Sequence, residues 1–216
     1  MEKLVRFDEH YTPDFPVQTH SNTSYGLSDE VESAAPGIRN FLKIHSSQTF
    51  ANGLYRIMKP EEVPKWTKIA SDAFPNFRDR ILCFSSDWLG RIFALNQTNT
   101  VAGQCHILML EPGTGLALEI PVTFDDFHNS ELVDFANEAL AVQFYHDWLH
   151  HGGAPPEFGE CVGYQIPLFL GGKDVIENLE VIDMHVYWTL TAQLLAKTRS
   201  LPDGTKISEI RLADLS

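Results

Sequence analysis

The residues with the clearest potential for chemistry lie in one histidine-rich stretch. His146 and His150 are four residues apart on a predicted helix, a spacing that can place two imidazoles on one zinc ion. A catalytic zinc also needs a third protein ligand and a nearby general base, and the sequence supplies no candidate for either. Because a helical wheel puts both histidines on the polar face, we predict a solvated helix surface, no bound metal and no cofactor.

The cysteines and one pair of carboxylates are weaker candidates. Cys83, Cys105 and Cys161 lie far apart and outside any catalytic sequence context. An odd, unclustered set favours small core residues in a reducing compartment over disulfides or a nucleophile. Asp125 and Asp126 follow Thr123 in the pattern of a helix-capping box, which accounts for the pair without catalysis. The sequence therefore favours a binding protein over an enzyme.

The predicted secondary structure that positions these residues changes near Pro121, where hairpins give way to helices. Before it, the patterns predict a short N-terminal helix, a loop over residues 8–30, and then helices, a strand and two hairpins. The proline and two glutamates of Lys59–Glu62 are typical of a helix start, and Gly90 is available for a turn with positive φ. The predicted elements are a helix over Pro36–His45, a strand over Gly53–Met58, and hairpins of Ile81–Phe84 with Arg91–Leu95 and of Cys105–Leu110 with Leu116–Ile120.

After Pro121 the sequence predicts a mainly helical part. Its elements are helices over 124–133, 136–151 and Met184–Lys197, an irregular stretch Gly152–Gly172, and strands over Asn178–Asp183 and Lys206–Leu212. We expect the apolar arc of the last helix to include Val186, Leu190 and Leu194. Tryptophans are core residues by default, with Trp88, in a predicted turn, as the possible exception.

These patterns together predict an α/β fold of the mixed, α+β kind. We expect a largely antiparallel central sheet flanked by helices, with a C-terminal extension of helices and strands. The predicted domains are 1–120 and 121–216, packed as one body because no flexible linker separates them.

Charge is distributed very unevenly along the chain. The net charge is −13, and the segment Glu111–Asp183 contains 14 acidic residues against one basic residue, Lys173. Such a chain repels phosphate backbones, so we predict no binding to nucleic acid, and its short apolar runs predict no membrane segment. The N-terminus lacks a signal-peptide core, which favours the cytoplasm. A one-sided acidic block also favours a basic protein partner.

Two parts of the chain resemble known families. Gly53–Trp66 and Cys83–Asn96 resemble the GAD-like domain, and Gly163–Gly172 with Glu177–Trp188 resemble the C-terminal domain that commonly follows it. This pairing is similar to immunity proteins encoded beside type VI secretion DNase toxins, and to the broader SMI1/KNR4-type superfamily. The resemblance implies an SMI1/KNR4-like fold and a non-catalytic function, in which the protein holds a cognate toxin inactive.

The resemblance and the charge predict the same partner, a basic nuclease. A DNase must hold a phosphate backbone, so an acidic inhibitor could occupy its cleft as a phosphate mimic. Two alternatives remain open: a scaffold or regulatory binding protein of the SMI1/KNR4 type, and a metal-dependent enzyme using His146 and His150. The predicted toxin-binding residues are acids at loop and helix ends, namely Asp125, Asp126, Glu131, Asp134, Glu157 and Glu160.

Overall fold

A computed structural model describes residues 5–15, 27–199, 201 and 205. It confirms the α+β class and the antiparallel central sheet, since six strands pair in chain order, β1 to β6. Their bounds are Thr49–Phe50 (β1), Tyr55–Ile57 (β2), Ile81–Asp87 (β3), Ile92–Val101 (β4), Gln104–Glu111 (β5) and Leu116–Ile120 (β6). A separate antiparallel hairpin joins β7 (Glu160–Tyr164) to β8 (Leu179–Asp183).

Helices precede, interrupt and follow the sheet. Before and within it lie α1 (Val5–His10), α2 (Asp29–Ala34), α3 (Ile38–His45) and α4 (Val63–Ala73). After it lie three short helices, α5 (Phe124–Asp126), α6 (Leu132–Asp134) and α7 (Ala136–Leu140), then the longer α8 (Val142–His150) and α9 (Met184–Thr198). A π-helical segment, Phe127–Glu131, links α5 to α6.

Both faces of the sheet are buried, and alternate residues of each strand face opposite sides. In β4, Phe93 and Leu95 belong to one hydrophobic cluster, whereas Ile92 and Ala94 belong to the other. The first cluster includes α1, α3 and the helical run α5–α8, and the second includes α4 and α9. Burial on both faces explains why the central strands are continuous apolar runs rather than alternating ones.

The hydrophobic clusters cross the predicted boundary at Pro121. Phe41 and Phe84 from the first part pack edge-to-face against Phe124 from the second, with ring centroids 5.4 and 5.2 Å from it. On the other face, Phe74 contacts Trp188 at 6.1 Å. The division into 1–120 and 121–216 stays a prediction, but the two segments share their apolar surfaces.

Several local predictions were wrong. The predicted helix 136–151 is broken at Ala141, which has a left-handed backbone with φ 52°, so α7 and α8 are separate helices. Each helix still buries apolar residues, Ala139 and Leu140 in α7 and Tyr145 and Trp148 in α8. The stretch predicted as irregular contains β7, and α2 occupies the end of the segment 8–30, which was predicted to be a loop. Lys206–Leu212 lies outside the described residues.

Two side chains also lie opposite to their predicted positions. Val186 is 45% exposed, because α9 packs through Met184, Tyr187, Trp188 and Thr191. Trp88, the predicted exception among the tryptophans, is fully buried: its indole Nε1 donates to the Leu140 carbonyl at 2.9 Å. The turn after β3 is therefore an internal element rather than a surface loop, because α7, α8 and β7 cover it.

Candidate functional site

The residues considered for catalysis have surroundings that favour structural roles. Cys83, Cys105 and Cys161 are buried free thiols. Burial raises the pKa of Cys83 to about 12 and also raises the pKa values of the other two thiols, so each stays protonated and weakly nucleophilic. His146 and His150 are both exposed on α8. Within the described part of the chain, no three His, Cys, Asp or Glu side chains are placed to share a metal ion.

The six predicted toxin-binding carboxylates separate into two groups. Four lie on the helical run after Thr123, which packs beside α1. Two lie where the chain enters β7, one in the preceding loop and one at the first residue of the strand. The first group is Asp125, Asp126, Glu131 and Asp134, and the second is Glu157 and Glu160.

The capping box predicted at Thr123 is confirmed. The Asp126 amide donates to Thr123 Oγ1 at 3.1 Å, and that hydroxyl donates to the Asp126 carboxylate at 2.8 Å. Asp125 accepts a bond of 3.1 Å from the side-chain amide of Asn129. Neither carboxylate forms an ion pair with a lysine or arginine of the described segments. Capping therefore fixes both side chains without neutralising their charge.

Asp134 differs from the other carboxylates because a cation already holds it. Arg6 donates to both of its oxygens, at 2.6 and 2.7 Å, in a bidentate pair that joins α1 to α6. This hydrogen bonding lowers the pKa of Asp134, although both side chains are exposed. Glu131 is half-buried at the end of the π-helical segment. A partner would have to displace Arg6 to use the Asp134 charge.

The second group lies beside a buried cation. The Arg56 guanidinium is 2% exposed and donates to the backbone carbonyls of Glu157, Glu160 and Asp87. Glu160 also accepts the Glu157 amide at 3.0 Å, while the Glu157 side chain is exposed. Burial lowers the pKa of Arg56, and the nearby Glu160 charge opposes that effect. Glu160 thus helps to shape its loop, whereas Glu157 projects from it.

The described residues also form an acidic groove that the sequence did not predict. It has a volume of about 830 Å³ and runs between α3 and the start of α5. Four carboxylates and one guanidinium line it, together with the apolar side chains of Phe41 and Ile44. Its charged residues are Asp8, Glu32, Arg39, Asp125 and Asp126.

Half of these carboxylates come from outside the acidic block identified in the sequence. Asp8 lies on α1 and Glu32 on α2. The chain outside Glu111–Asp183 contains 15 acidic and 15 basic residues, so its net charge gave no indication of these two. The acidic composition of α2, Asp-Glu-Val-Glu, was the one available signal. Tertiary packing brings these two residues to the Thr123–Asp126 turn.

Comparison with known proteins gives a family match in the C-terminal part. Residues 123–195, about a third of the chain, match the family model "T6SS immunity protein Tdi1, C-terminal". This match supports a type VI secretion immunity family and, with it, a protein whose partner is a cognate toxin. The GAD-like and SMI1/KNR4 resemblances have no corresponding match and stay predictions.

Structural comparison supports the fold over most of the chain. The crystal structure of Atu4351 from Agrobacterium tumefaciens superposes with a TM-score of 0.55 at 16% sequence identity, covering 89% of each chain. At that identity the likeness concerns the fold alone. No curated protein matches the sequence. In the described segments, every helix is too short or too polar to cross a membrane.

Proposed function

We propose that this protein is a cytoplasmic immunity protein that binds a cognate type VI secretion DNase and occludes its active site. One observation carries the proposal: the segment that matches the immunity family is also the segment that carries the charge. Residues 123–195 contain 12 acidic residues and one basic residue, Lys173. The part with family likeness is therefore the part best suited to a basic partner.

Electrostatics explains why a nuclease fits this surface. A DNase cleft must attract a polyanion, so its surface is basic, and an acidic inhibitor competes for the same field. Complementary fields accelerate encounter by about 10- to 1000-fold at low salt. Fast capture suits an inhibitor that must act before the toxin reaches the chromosome. No catalytic step by this chain is needed for such protection.

The test is reconstitution with the toxin encoded by the adjacent gene. We expect a stable complex, loss of DNA cleavage when the two proteins are mixed, and an association rate that falls as salt rises. DNA should compete with the complex if the active site is occluded. A complex that forms but leaves cleavage intact would contradict occlusion. The absence of any complex would contradict the toxin-binding function itself.

The exposed Glu157 allows the charge model to be tested with one substitution. Glu157→Gln should slow association and weaken its salt dependence, because charges at the rim of an interface act mainly on encounter. Glu160→Gln is a less specific probe, since that carboxylate also accepts the Glu157 amide. Thermal melts should show unchanged folding for Glu157→Gln. An association rate unchanged at both low and high salt would remove Glu157 from the interface.

A further inference from the structure

The acidic groove is made by both parts of the chain. Its walls are Asp8 of α1, Glu32 of α2, residues 36–45 around α3, Gln104 of β5, and the turn Thr123–Asp126. The family match begins at residue 123, so only the last of these walls belongs to it. The groove cannot form from residues 123–195 (the immunity segment) alone.

The negative charge of the groove is not neutralised from within. Its guanidinium, Arg39, is turned toward Asp29 and the Leu27 carbonyl, at 2.8 Å from each. Glu32 accepts the backbone amides of Gly37 and Arg39, at 3.0 and 3.1 Å, which orients its carboxylate at the start of α3. Three further carboxylates remain, those of Asp8, Asp125 and Asp126.

A histidine of α3 holds the Asp8 carboxylate in place. His45 Nε2 lies 2.9 Å from that carboxylate, and His45 Nδ1 lies 3.3 Å from Gln48 Oε1. Burial lowers the pKa of His45, with Asp8 and Gln48 opposing that effect. The four carboxylates of the lining outnumber its two basic groups, Arg39 and His45, so the groove is acidic.

Part of the groove lining is apolar. Phe41 is buried, whereas Ile44 is 45% exposed and Pro36 is exposed. Lysine and arginine side chains pair a hydrocarbon stem with a cationic head, so they suit a lining that combines apolar side chains with carboxylates. A volume of about 830 Å³ holds several such side chains rather than one. The shape and chemistry fit a short basic segment of a protein.

We propose that this groove receives a basic segment of the cognate toxin, so that α1–α3 complete a binding surface begun by the immunity segment. The proposal rests on the toxin-binding function above and specifies where that binding occurs. It predicts that residues far outside the family match contribute to toxin capture as strongly as those within it.

The experiment measures binding of the full-length protein to an active-site variant of the adjacent-gene toxin. Two wall variants remove two charges each, Asp8→Asn/Glu32→Gln outside the family match and Asp125→Asn/Asp126→Asn within it. A matched control, Glu177→Gln/Glu180→Gln, removes two exposed charges of the immunity segment that do not line the groove. We expect each wall variant to slow association about tenfold at low salt and the control to leave it near wild type. Ile44→Ala should mainly speed dissociation.

The possible results separate this inference from the proposed function. If the wild-type protein captures the toxin and both wall variants match the control, the groove inference is wrong and toxin binding stands. If the wild-type protein does not bind, the proposed function fails first. Thermal melts, together with the single variant Asp8→Asn, test whether the first wall variant is misfolded. A dimer of the free protein that the wall variants dissociate would assign the groove to a second copy and overturn the proposal.

Discussion

The turn Asp87–Arg91 and the groove wall Thr123–Asp126 each contain a hydrogen-bonded aspartate, but the two aspartates have different surroundings. Asp87 is fully buried and accepts Arg91 Nε at 2.5 Å, and two backbone amides at 3.0 Å. Asp126 is exposed and bonds only within its own turn. A carboxylate enclosed by the protein stabilises the fold, whereas one fixed at the surface keeps its charge available for a partner.

The buried turn also connects distant parts of the chain. Trp88 bonds to Leu54, Leu140 and Val162, and Arg91 donates to the Ala139 carbonyl at 3.0 Å. Gly90 has φ 73°, as its predicted role requires, and its carbonyl accepts Trp188 Nε1 at 2.7 Å. This turn belongs to the stretch that resembles the GAD-like domain, so its recognisable sequence corresponds to a structural core. The comparison predicts large stability effects at the turn and small ones at the groove wall.

The largest effect is expected for Asp87→Ala. This change leaves Arg91 buried without its counter-ion, which typically costs about 3–5 kcal/mol of unfolding free energy. Urea unfolding measures it, with Asp126→Ala as the surface control. If Asp87→Ala fails to fold, Asp87→Asn retains an acceptor and should give a smaller, measurable loss. A loss below about 1 kcal/mol would mean that the turn is hydrated and the comparison fails.

Replacing either of two buried tryptophans should also cause a large stability loss, and the two losses should differ. Trp88→Ala and Trp148→Ala each remove a buried ring, at a cost of about 3–5 kcal/mol. Trp148 is 9% exposed and covers Gly153, whereas Trp88 is enclosed by Phe144 and Tyr145 at 5.6 and 4.9 Å. We therefore expect the larger loss for Trp88→Ala in chemical denaturation. Equal losses as small as those of surface substitutions would contradict the burial of both rings.

The stability of the core should depend on pH through His128. Burial lowers the pKa of this ring to about 3, from its ordinary value of 6.5, and its nitrogens contact the Phe124 carbonyl and the Tyr55 hydroxyl. The unfolded chain binds the proton more readily, so stability is full above about pH 6.5 and falls toward pH 3, by up to about 1.4 kcal/mol per pH unit.

Unfolding measured at pH 7, 6 and 5 tests this dependence. The pKa of His45 is lowered too, so it adds to the same trend. His128→Gln should flatten the slope relative to wild type, whereas His146→Gln, at an exposed position, should not. If His128→Gln kept the wild-type slope, the pH dependence of stability would have to come from other residues.

The smallest stability effects are expected at the groove wall. Asp125→Asn and Asp126→Asn should each change the unfolding free energy by less than about 0.5 kcal/mol, because the side chains are fixed by local bonds and not by burial of charge. The same variants should slow toxin association, as proposed above. A large stability loss with normal association would reverse the roles assigned to the two regions.

We expect that the histidine pair, His146 and His150, does not bind zinc. Untagged protein is expected to contain no stoichiometric zinc, and His146→Ala/His150→Ala should melt at the wild-type temperature with or without added zinc. Elemental analysis and a thermal melt are sufficient. One zinc per chain that disappears in the double variant would restore the metal-dependent alternative.

The sequence by itself determined those secondary-structure elements that depend on residues close together in the chain. Residue spacing identified the two hairpins, the cap at Thr123 and the start of α4, because turn residues, caps and alternating burial act within a few positions. The acidic excess of Glu111–Asp183 was equally visible, since charge along the chain needs no fold to be counted. The match of residues 123–195 to an immunity family agrees with the function inferred from resemblance.

Only the tertiary structure decided which polar residues are inside and which face a partner. Trp88 was predicted in an exposed turn and lies in the core, and Asp8 and Glu32 joined Asp125 and Asp126 across more than 90 positions of sequence. The left-handed backbone at Ala141 also had no signal in the helical periodicity. The physical reason is the same in each case: burial and proximity depend on packing between distant segments, and local residue patterns do not encode that packing.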